Sequence, residues 1–253
     1  MSVLVFEDQA TACRAAASHI QSTIRSAVAS HDHAVLGLAT GSTPRKVYAH
    51  LVELYRASQL SFREVITYNL DEYYPIQPLD PRSFRAYMHN HLFSHVNIAP
   101  HHAHVLDGTV PEKFVAEHCA QYERWMAADG GLDLQLLGIG RNGHIGFNEP
   151  GDLPRAEALA LPTRFVELDP ITRQNAAREL GGEDRVISGA LTLGIASILT
   201  ARSILILATG GHKSDVVAQA IRGPMTYRLP ASLLQTAASR VTWMLDVSAA
   251  GLL

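Results

Sequence analysis

The sequence predicts an α/β fold: a three-layer sandwich with helices on both faces of a mostly parallel sheet. Short apolar runs of strand length alternate with helix-like stretches along the 253 residues. The run Ala34–Ala39 (AVLGLA) is apolar at every position, which favours a strand covered on both faces. The length and the 47% hydrophobic content fit a single domain over residues 1–253.

The predicted elements follow this alternation in order. After Ala34–Ala39, a helix is expected over Arg45–Ala57, with Thr43 as its N-cap and Pro44 in its first position. The remaining strands are predicted at Val65–Leu70, Leu132–Ile139, Ser203–Thr209 and Arg240–Asp246. The remaining helices are predicted at Ser83–Phe93 and Glu112–Ala128, and after Lys213 as far as Ile221. Residues 151–188 mix proline, glycine and charge, which predicts a lid beside a site.

Charge and cysteine content exclude several classes of protein. The formal net charge is −3, so no global basic surface favours nucleic acid. Cys13 and Cys119 form no C-x-x-C pair, which argues against a disulfide scaffold or a cysteine zinc site. The N-terminus lacks a basic region, and the chain has no apolar span of 18 residues. We therefore expect a cytoplasmic protein without membrane or nucleic-acid partners.

Two glycine-containing loops are candidates for binding an anion at the carboxyl ends of the strands, where parallel sheets bind ligands. Thr40-Gly41-Ser42-Thr43 offers backbone N–H groups, hydroxyls and a helix start, although an ordinary strand-to-helix turn explains it equally well. The second loop places Lys213 at a helix N-terminus, which the helix dipole disfavours unless an anion lies between them. Two such loops at one edge favour a phosphate site.

Two further strand ends carry acid–base groups. Asp71 and Glu72 are expected in the loop after a predicted strand, and a carboxylate facing the cleft there can abstract a proton from carbon. The segment GIGRNGHIGFNEPG (138–151) has five glycines around His144, with Asn142 before it and Glu149 after it. A histidine paired with a carboxylate is typical of an acid–base catalyst near neutral pH. The cluster His101-His102-Ala103-His104 lacks a carboxylate or cysteine partner at ligand spacing, and His91 and His95 lack the H-E-x-x-H pattern, so we expect no metal site.

Five segments resemble the glucosamine/galactosamine-6-phosphate isomerase family, which includes the glucosamine-6-phosphate deaminases. They are LGLATGSTP (36–44), NLDEYY (69–74), LLGIGRNGHIGFNEPG (136–151), ALTLGI (190–195) and LATGGHK (207–213). The third segment is the most specific. The resemblance runs through nearly the whole chain and implies a Rossmann-like fold. It also implies conversion of glucosamine 6-phosphate and water to fructose 6-phosphate and ammonia, without cofactor or metal.

The resemblance also implies roles for individual residues. His144 would protonate the ring oxygen, Asp71 would move the proton from C2 to C1, and Glu149 would orient His144. The phosphate would rest on the Thr40–Thr43 loop, with Arg178 and Lys213 closing over it. Many members carry aspartate where this chain has Asn142, so Asn142 is expected to bind substrate or shape the loop rather than act as an acid.

The segment 152–168 departs from the pattern of the allosteric, hexameric members. Those members carry a basic S-R-T-R-x-K stretch that is missing here, so we expect a monomer or small oligomer without allosteric activation. Three alternatives stay open from the sequence: a 6-phosphogluconolactonase, a galactosamine-6-phosphate deaminase and a non-catalytic sugar-phosphate sensor. The sensor is disfavoured because Asp71, His144 and Glu149 are all present.

Overall fold

The computed structural model describes residues 1–170, 172–174, 177, 182 and 186–253. Within these ranges the strands are β1 Ser2–Phe6, β2 Ala34–Leu38, β3 Val65–Asn69, β4 Asp71–Tyr74, β5 Ala103–His104, β6 Leu134–Leu137, β7 Arg164–Glu167, β8 Gly189–Thr192, β9 Ile204–Ala208 and β10 Val241–Asp246. The α-helices are α1 Gln9–His31, α2 Ser42–Arg56, α3 Phe84–His91, α4 Val115–Ala128, α5 Arg155–Leu159, α6 Ile195–Leu199 and α7 Ser214–Arg222.

Seven strands form the main sheet, in the order β1-β10-β9-β6-β2-β3-β5. Every neighbouring pair in this sheet is parallel. The chain runs outward from β2 through β3 to β5, and then continues on the other side of β2 with β6, β9 and β10. The boundary between the neighbouring strands β2 and β6 is therefore the topological switch point. Open α/β sheets bind their ligands beyond the carboxyl ends of the strands at such a point.

Two apolar layers cover the faces of this sheet, as the continuous apolar strands predicted. On one face, buried residues of α1, α2 and α3 pack against β2, β6 and β9. On the other face, buried residues of α4, α6 and α7 pack against the same sheet. Cys13 and Cys119 are buried in α1 and α4, as small apolar residues would be. The three-layer sandwich is confirmed.

A second, antiparallel sheet of order β4-β8-β7 was not predicted. Asp71–Tyr74 forms β4, so the sequence-based expectation that its carboxylates lie in a loop is wrong. In this sheet Asp71 pairs with Thr192, far away along the chain, and no local pattern in a four-residue strand indicates such a partner. Within the predicted lid segment 151–188, the structure places α5 and β7, and residues 171, 175–176, 178–181 and 183–185 lie outside the described residues.

The N-terminal strand was missed for a different reason. β1 pairs with β10 at the edge of the main sheet, and four of its five residues are exposed. An edge strand lacks the continuous burial that identified the central strands. In the part of the chain that the structure describes, no helix is long and apolar enough to cross a membrane.

Candidate active site

Four loops converge at one edge of the main sheet. They follow β9, β6, β2 and β3, which are consecutive strands in the sheet order. Because all four strands are parallel, their carboxyl ends meet at the same edge, across the switch point. This edge carries every strand-end segment that the sequence analysis selected.

The loop after β2 leads directly into α2, whose first turn is open. Gly41 precedes the helix with φ of +112°, a backbone conformation that side chains disfavour, and no side chain caps the helix. The expectation that Thr43 caps this helix and Pro44 follows in its first position is wrong, because α2 begins at Ser42. The glycine turn brings the chain into the helix two residues earlier. The uncapped N–H groups and the helix dipole together favour an anion.

Side chains from two helices hold this loop in place. The Tyr87 hydroxyl of α3 donates to the Gly41 carbonyl at 2.6 Å, and the Tyr48 hydroxyl of α2 donates to the Ala39 carbonyl. The hydroxyls of Ser42 and Thr43 have no hydrogen-bond partner among the described residues. They remain available to a ligand at the start of α2.

The loop after β9 brings a lysine to the same edge. Lys213 Nζ donates to the Ile139 carbonyl at 2.6 Å, and the Gly210 N–H donates to Asp246. Burial lowers the pKa of Lys213 to about 8, with a further contribution from the positive charge of Arg141. The negative charge of a dianionic ligand beside this ammonium would raise the pKa of Lys213 again. A buried lysine that gains a charged partner on binding is typical of a phosphate site.

Asp71 is a buried carboxyl group at the start of β4. Its Oδ1 is buried without a hydrogen-bond partner among the described residues. Burial, and then the negative charge of Glu72, raise the pKa of Asp71 to about 8. An unpaired carboxylate with a raised pKa is a stronger base than an ordinary aspartate. These properties suit abstraction of a weakly acidic proton from carbon.

The neighbouring carboxylate of Glu72 is fully engaged in holding the start of α3. Its Oε1 accepts from the N–H groups of Tyr73 and Phe84, and its Oε2 accepts from the Ser83 hydroxyl and the Arg85 N–H, all at 2.8–2.9 Å. Both oxygens therefore bind donors of the protein. The structure distinguishes two adjacent carboxylates that the residue pattern left equivalent.

His144 and Glu149 form a hydrogen-bonded pair, as their spacing in the glycine-rich loop predicted. His144 Nδ1 lies 3.1 Å from Glu149 Oε2, and the Asn142 side-chain amide donates to the same oxygen at 2.9 Å. Asn142 Oδ1 also accepts from the His144 N–H at 3.2 Å, so Asn142 shapes the loop. Thr172 donates to Glu149 Oε1 at 2.6 Å.

The charge state of this pair follows from its donors. Burial alone would raise the pKa of Glu149, but the hydrogen bond and charge of His144, with the bonds from Thr172 and Asn142, lower it. An ionised Glu149 accepts hydrogen bonds only, so the proton lies on His144 Nδ1. Nε2 is then the nitrogen that remains to exchange a proton with a ligand.

The His144 ring packs against the backbone of its own loop. A Cβ placed on Gly140 would lie 2.3–2.5 Å from three atoms of the ring, so only glycine fits there. The loop is also joined to the second sheet, because the Phe147 N–H donates to the Thr192 hydroxyl at 3.1 Å. Thr192 is the residue that pairs with Asp71. This connection positions the loop of His144 relative to Asp71.

The structure brings together most of the residues selected from the sequence. These residues lie at the carboxyl edge of the main sheet: Thr40, Gly41, Ser42, Thr43, Asp71, Asn142, His144, Glu149 and Lys213. Arg178, implied by the family resemblance, lies outside the described residues. No group of three or more histidine, cysteine, aspartate or glutamate side chains in the described ranges is arranged to hold a metal ion.

Two residues of this region were missed from the sequence. Arg141 is a cation next to Lys213, and its position inside the 138–151 loop was the signal that could have found it. Thr172 contacts Glu149 from a distant segment, and nothing in the local sequence marks it.

Known proteins resemble this chain in both sequence and fold. The profile of the family described as glucosamine-6-phosphate isomerases/6-phosphogluconolactonase matches residues 7–161. The glucosamine-6-phosphate deaminase of Halothermothrix orenii is 44% identical over 87% of this chain and 88% of its own. That of Rhodopirellula baltica is 42% identical over 100% of this chain and 96% of its own. The solved structure of a monomeric glucosamine-6-phosphate deaminase, 37% identical, aligns over 100% of both chains with a TM-score of 0.92. The chain belongs to the glucosamine-6-phosphate isomerase/6-phosphogluconolactonase family.

Proposed function

We propose that the protein is a glucosamine-6-phosphate deaminase, which converts glucosamine 6-phosphate and water to fructose 6-phosphate and ammonia. The observation that carries this proposal is the unpaired, buried carboxyl group of Asp71 at the same sheet edge as the His144–Glu149 pair. Relatives that carry this name, at 42–44% identity, support it. The substrate class is an aminosugar phosphate.

The phosphate binds at the start of α2. The uncapped N–H groups there and the hydroxyls of Ser42 and Thr43 supply donors, and Lys213 supplies a positive charge. By family resemblance, Arg178 is a second cation for the same phosphate. Fixing the dianion at one end of the sugar orients C1 and C2, which converts binding energy into orientation of the reacting atoms.

Ring opening uses the His144–Glu149 pair. His144 protonates the ring oxygen as the bond between C1 and that oxygen breaks, and the C1 hydroxyl releases its proton to solvent, which gives the open-chain aldehyde. Glu149 stabilises the imidazolium form of His144 and holds the ring in position. This is the step for which an acid near neutral pH is needed.

Isomerisation and deamination follow. Asp71 removes the proton from C2 while the C1 oxygen takes up a proton from solvent, which gives an enolamine. Asp71 then returns its proton to C1, which leaves a protonated imine at C2. Water adds to the imine carbon and ammonia leaves, so fructose 6-phosphate is formed with every atom accounted for. One base on one face of the sugar serves both adjacent carbons. Residues of this chain supply the proton transfers at the ring oxygen, at C2 and at C1.

The proposed function also includes a domain organisation, a location and an assembly state. Residues 1–253 form one domain, with a lid within residues 151–188 beside the site. The enzyme acts in the cytoplasm, because a phosphorylated aminosugar is charged and does not cross a lipid bilayer unaided. It works as a monomer or small homo-oligomer.

Ammonia release from a panel of sugar phosphates tests the proposal. We expect turnover of glucosamine 6-phosphate, and slower or no turnover of galactosamine and mannosamine 6-phosphates and of unphosphorylated glucosamine. Hydrolysis of 6-phosphogluconolactone is measured in parallel. Faster lactone hydrolysis than ammonia release, or no turnover of any aminosugar phosphate, would contradict the proposed function.

A further inference from the structure

Thr172 contacts the acid–base pair from outside its loop. Its hydroxyl donates to Glu149 Oε1 at 2.6 Å and lies 3.4 Å from His144 Nδ1. The residue is 8% exposed. We propose that Thr172 is a positioning residue, whose hydroxyl fixes the plane of the Glu149 carboxylate so that Oε2 meets His144 Nδ1. This inference rests on the proposed function.

The hydrogen bonding of Thr172 is unusual for its place in the backbone. A threonine in a helical turn commonly donates to the carbonyl three or four residues earlier. The Thr172 hydroxyl instead bonds to the side chain of Glu149. Within the described ranges, the hydrogen bonds of this hydroxyl are those to Glu149 and His144.

The two oxygens of Glu149 have separate donors. Oε2 accepts from Asn142 and faces His144, whereas Thr172 is the sole donor to Oε1 within the described ranges. The Glu149 side chain is 12% exposed, so water replaces a lost donor poorly. Rotation of a carboxylate about its last torsion is soft, and hydrogen bonds at both oxygens are what restrict it.

Loss of this restriction has a specific chemical consequence. When the carboxylate rotates, Oε2 leaves the position in which it accepts from Nδ1, and the imidazole loses its fixed tautomer. The step that uses His144 Nε2 then slows. In the part of the chain that the structure describes, Thr172 shares no hydrogen bond with the start of α2 or with Asp71, so we expect both to keep their geometry.

Three variants separate this role from a merely structural one. Thr172→Val keeps the shape and removes the hydroxyl, Thr172→Ser restores the hydroxyl, and Gln174→Ala perturbs the same turn at an exposed position. We expect Thr172→Val to lower kcat for ammonia release tenfold or more, and Thr172→Ser and Gln174→Ala to stay within about threefold of wild type. The Kd of an open-chain aminohexitol 6-phosphate, which needs no ring opening, should be unchanged in all three.

A second measurement does not depend on turnover. The ¹⁵N NMR signals of the His144 ring, assigned by comparison with His144→Gln, should report an Nδ1-protonated tautomer in wild type and a mixture in Thr172→Val. Unchanged kcat and tautomer in Thr172→Val would overturn the inference, as would failure of Thr172→Ser to restore them or a weakened Kd in parallel with kcat. If wild type releases no ammonia, the proposed function fails, and the tautomer measurement alone then decides the role of Thr172.

Discussion

At the scale of single residues, two adjacent carboxylates differ because of what surrounds each of them. Glu72 accepts four hydrogen bonds, whereas the Oδ1 of Asp71 is buried without a partner in the described part of the chain. The donors of Glu72 therefore offset part of the rise in pKa that its burial causes, whereas no donor in the described ranges does so at the Oδ1 of Asp71. This contrast makes Asp71 the candidate base.

Replacing Asp71 with asparagine should abolish turnover while the protein still folds. The substitution nearly conserves shape but removes the group that moves the proton from C2 to C1. Exchange of the C2 hydrogen with deuterated solvent, followed by NMR, should vanish. Exchange at the wild-type rate in Asp71→Asn would show that another group is the base.

The same variant makes a prediction about stability. The pKa of Asp71 is raised from the ordinary value to about 8, so between about pH 4 and pH 8 the folded protein holds a proton that the unfolded chain has released. The free energy of unfolding should thus fall with rising pH, by at most about 1.4 kcal/mol per pH unit from this group. Denaturant titrations should show a smaller decrease for Asp71→Asn.

Lys213 predicts a pH dependence of phosphate binding. Its pKa of about 8 means that the free protein loses this positive charge as the pH rises above 8. Fructose 6-phosphate, which has no amino group and is a dianion above about pH 7, should inhibit progressively more weakly from pH 7.5 to 9.5. In Lys213→Arg, which stays charged, the inhibition constant should be nearly flat. Parallel weakening in both proteins would contradict a role for Lys213.

At the scale of elements, the loop between β6 and α5 depends on close approach of a ring to the backbone. A Cβ on Gly140 would overlap the His144 ring, whereas a Cβ on Gly138 meets no atom within 4 Å. Gly140→Ala should therefore displace the imidazole and lower kcat at least tenfold, with the far-ultraviolet circular dichroism unchanged. Gly138→Ala is the matched control. Equal activity of the two variants would mean that the ring position does not matter.

At the scale of the whole molecule, the segment 152–168 predicts an enzyme without cooperativity. An anionic effector needs cations, and the guanidinium of Arg164 already donates to Asn148 and Tyr227. Initial rates against glucosamine 6-phosphate should be hyperbolic and unchanged by N-acetylglucosamine 6-phosphate, and light scattering should show a monomer or small oligomer. A Hill coefficient above one that the effector abolishes, in a hexamer, would contradict this prediction.

Patterns that act over short distances along the chain were visible in the sequence. The continuous apolar run at Ala34–Ala39 predicted a strand buried on both faces, because burial on both faces requires apolar side chains at every position. The five-residue spacing of His144 and Glu149 in a glycine-rich loop predicted their pairing, since such a loop can fold back on itself. The parallel sheet followed from the alternation of these elements.

Contacts between distant parts of the chain decided the rest. The pairing of Asp71 with Thr192 turned an expected loop into a strand, and the donors of Ser83, Phe84 and Arg85 engaged Glu72. Thr172 reached Glu149 in the same way. Hydrogen bonds depend on distance and direction in space, which a single sequence does not record. The sequence by itself therefore determined the layers and the chemical groups at the sheet edge, and only the tertiary structure decided which of those groups are engaged and which are free to react.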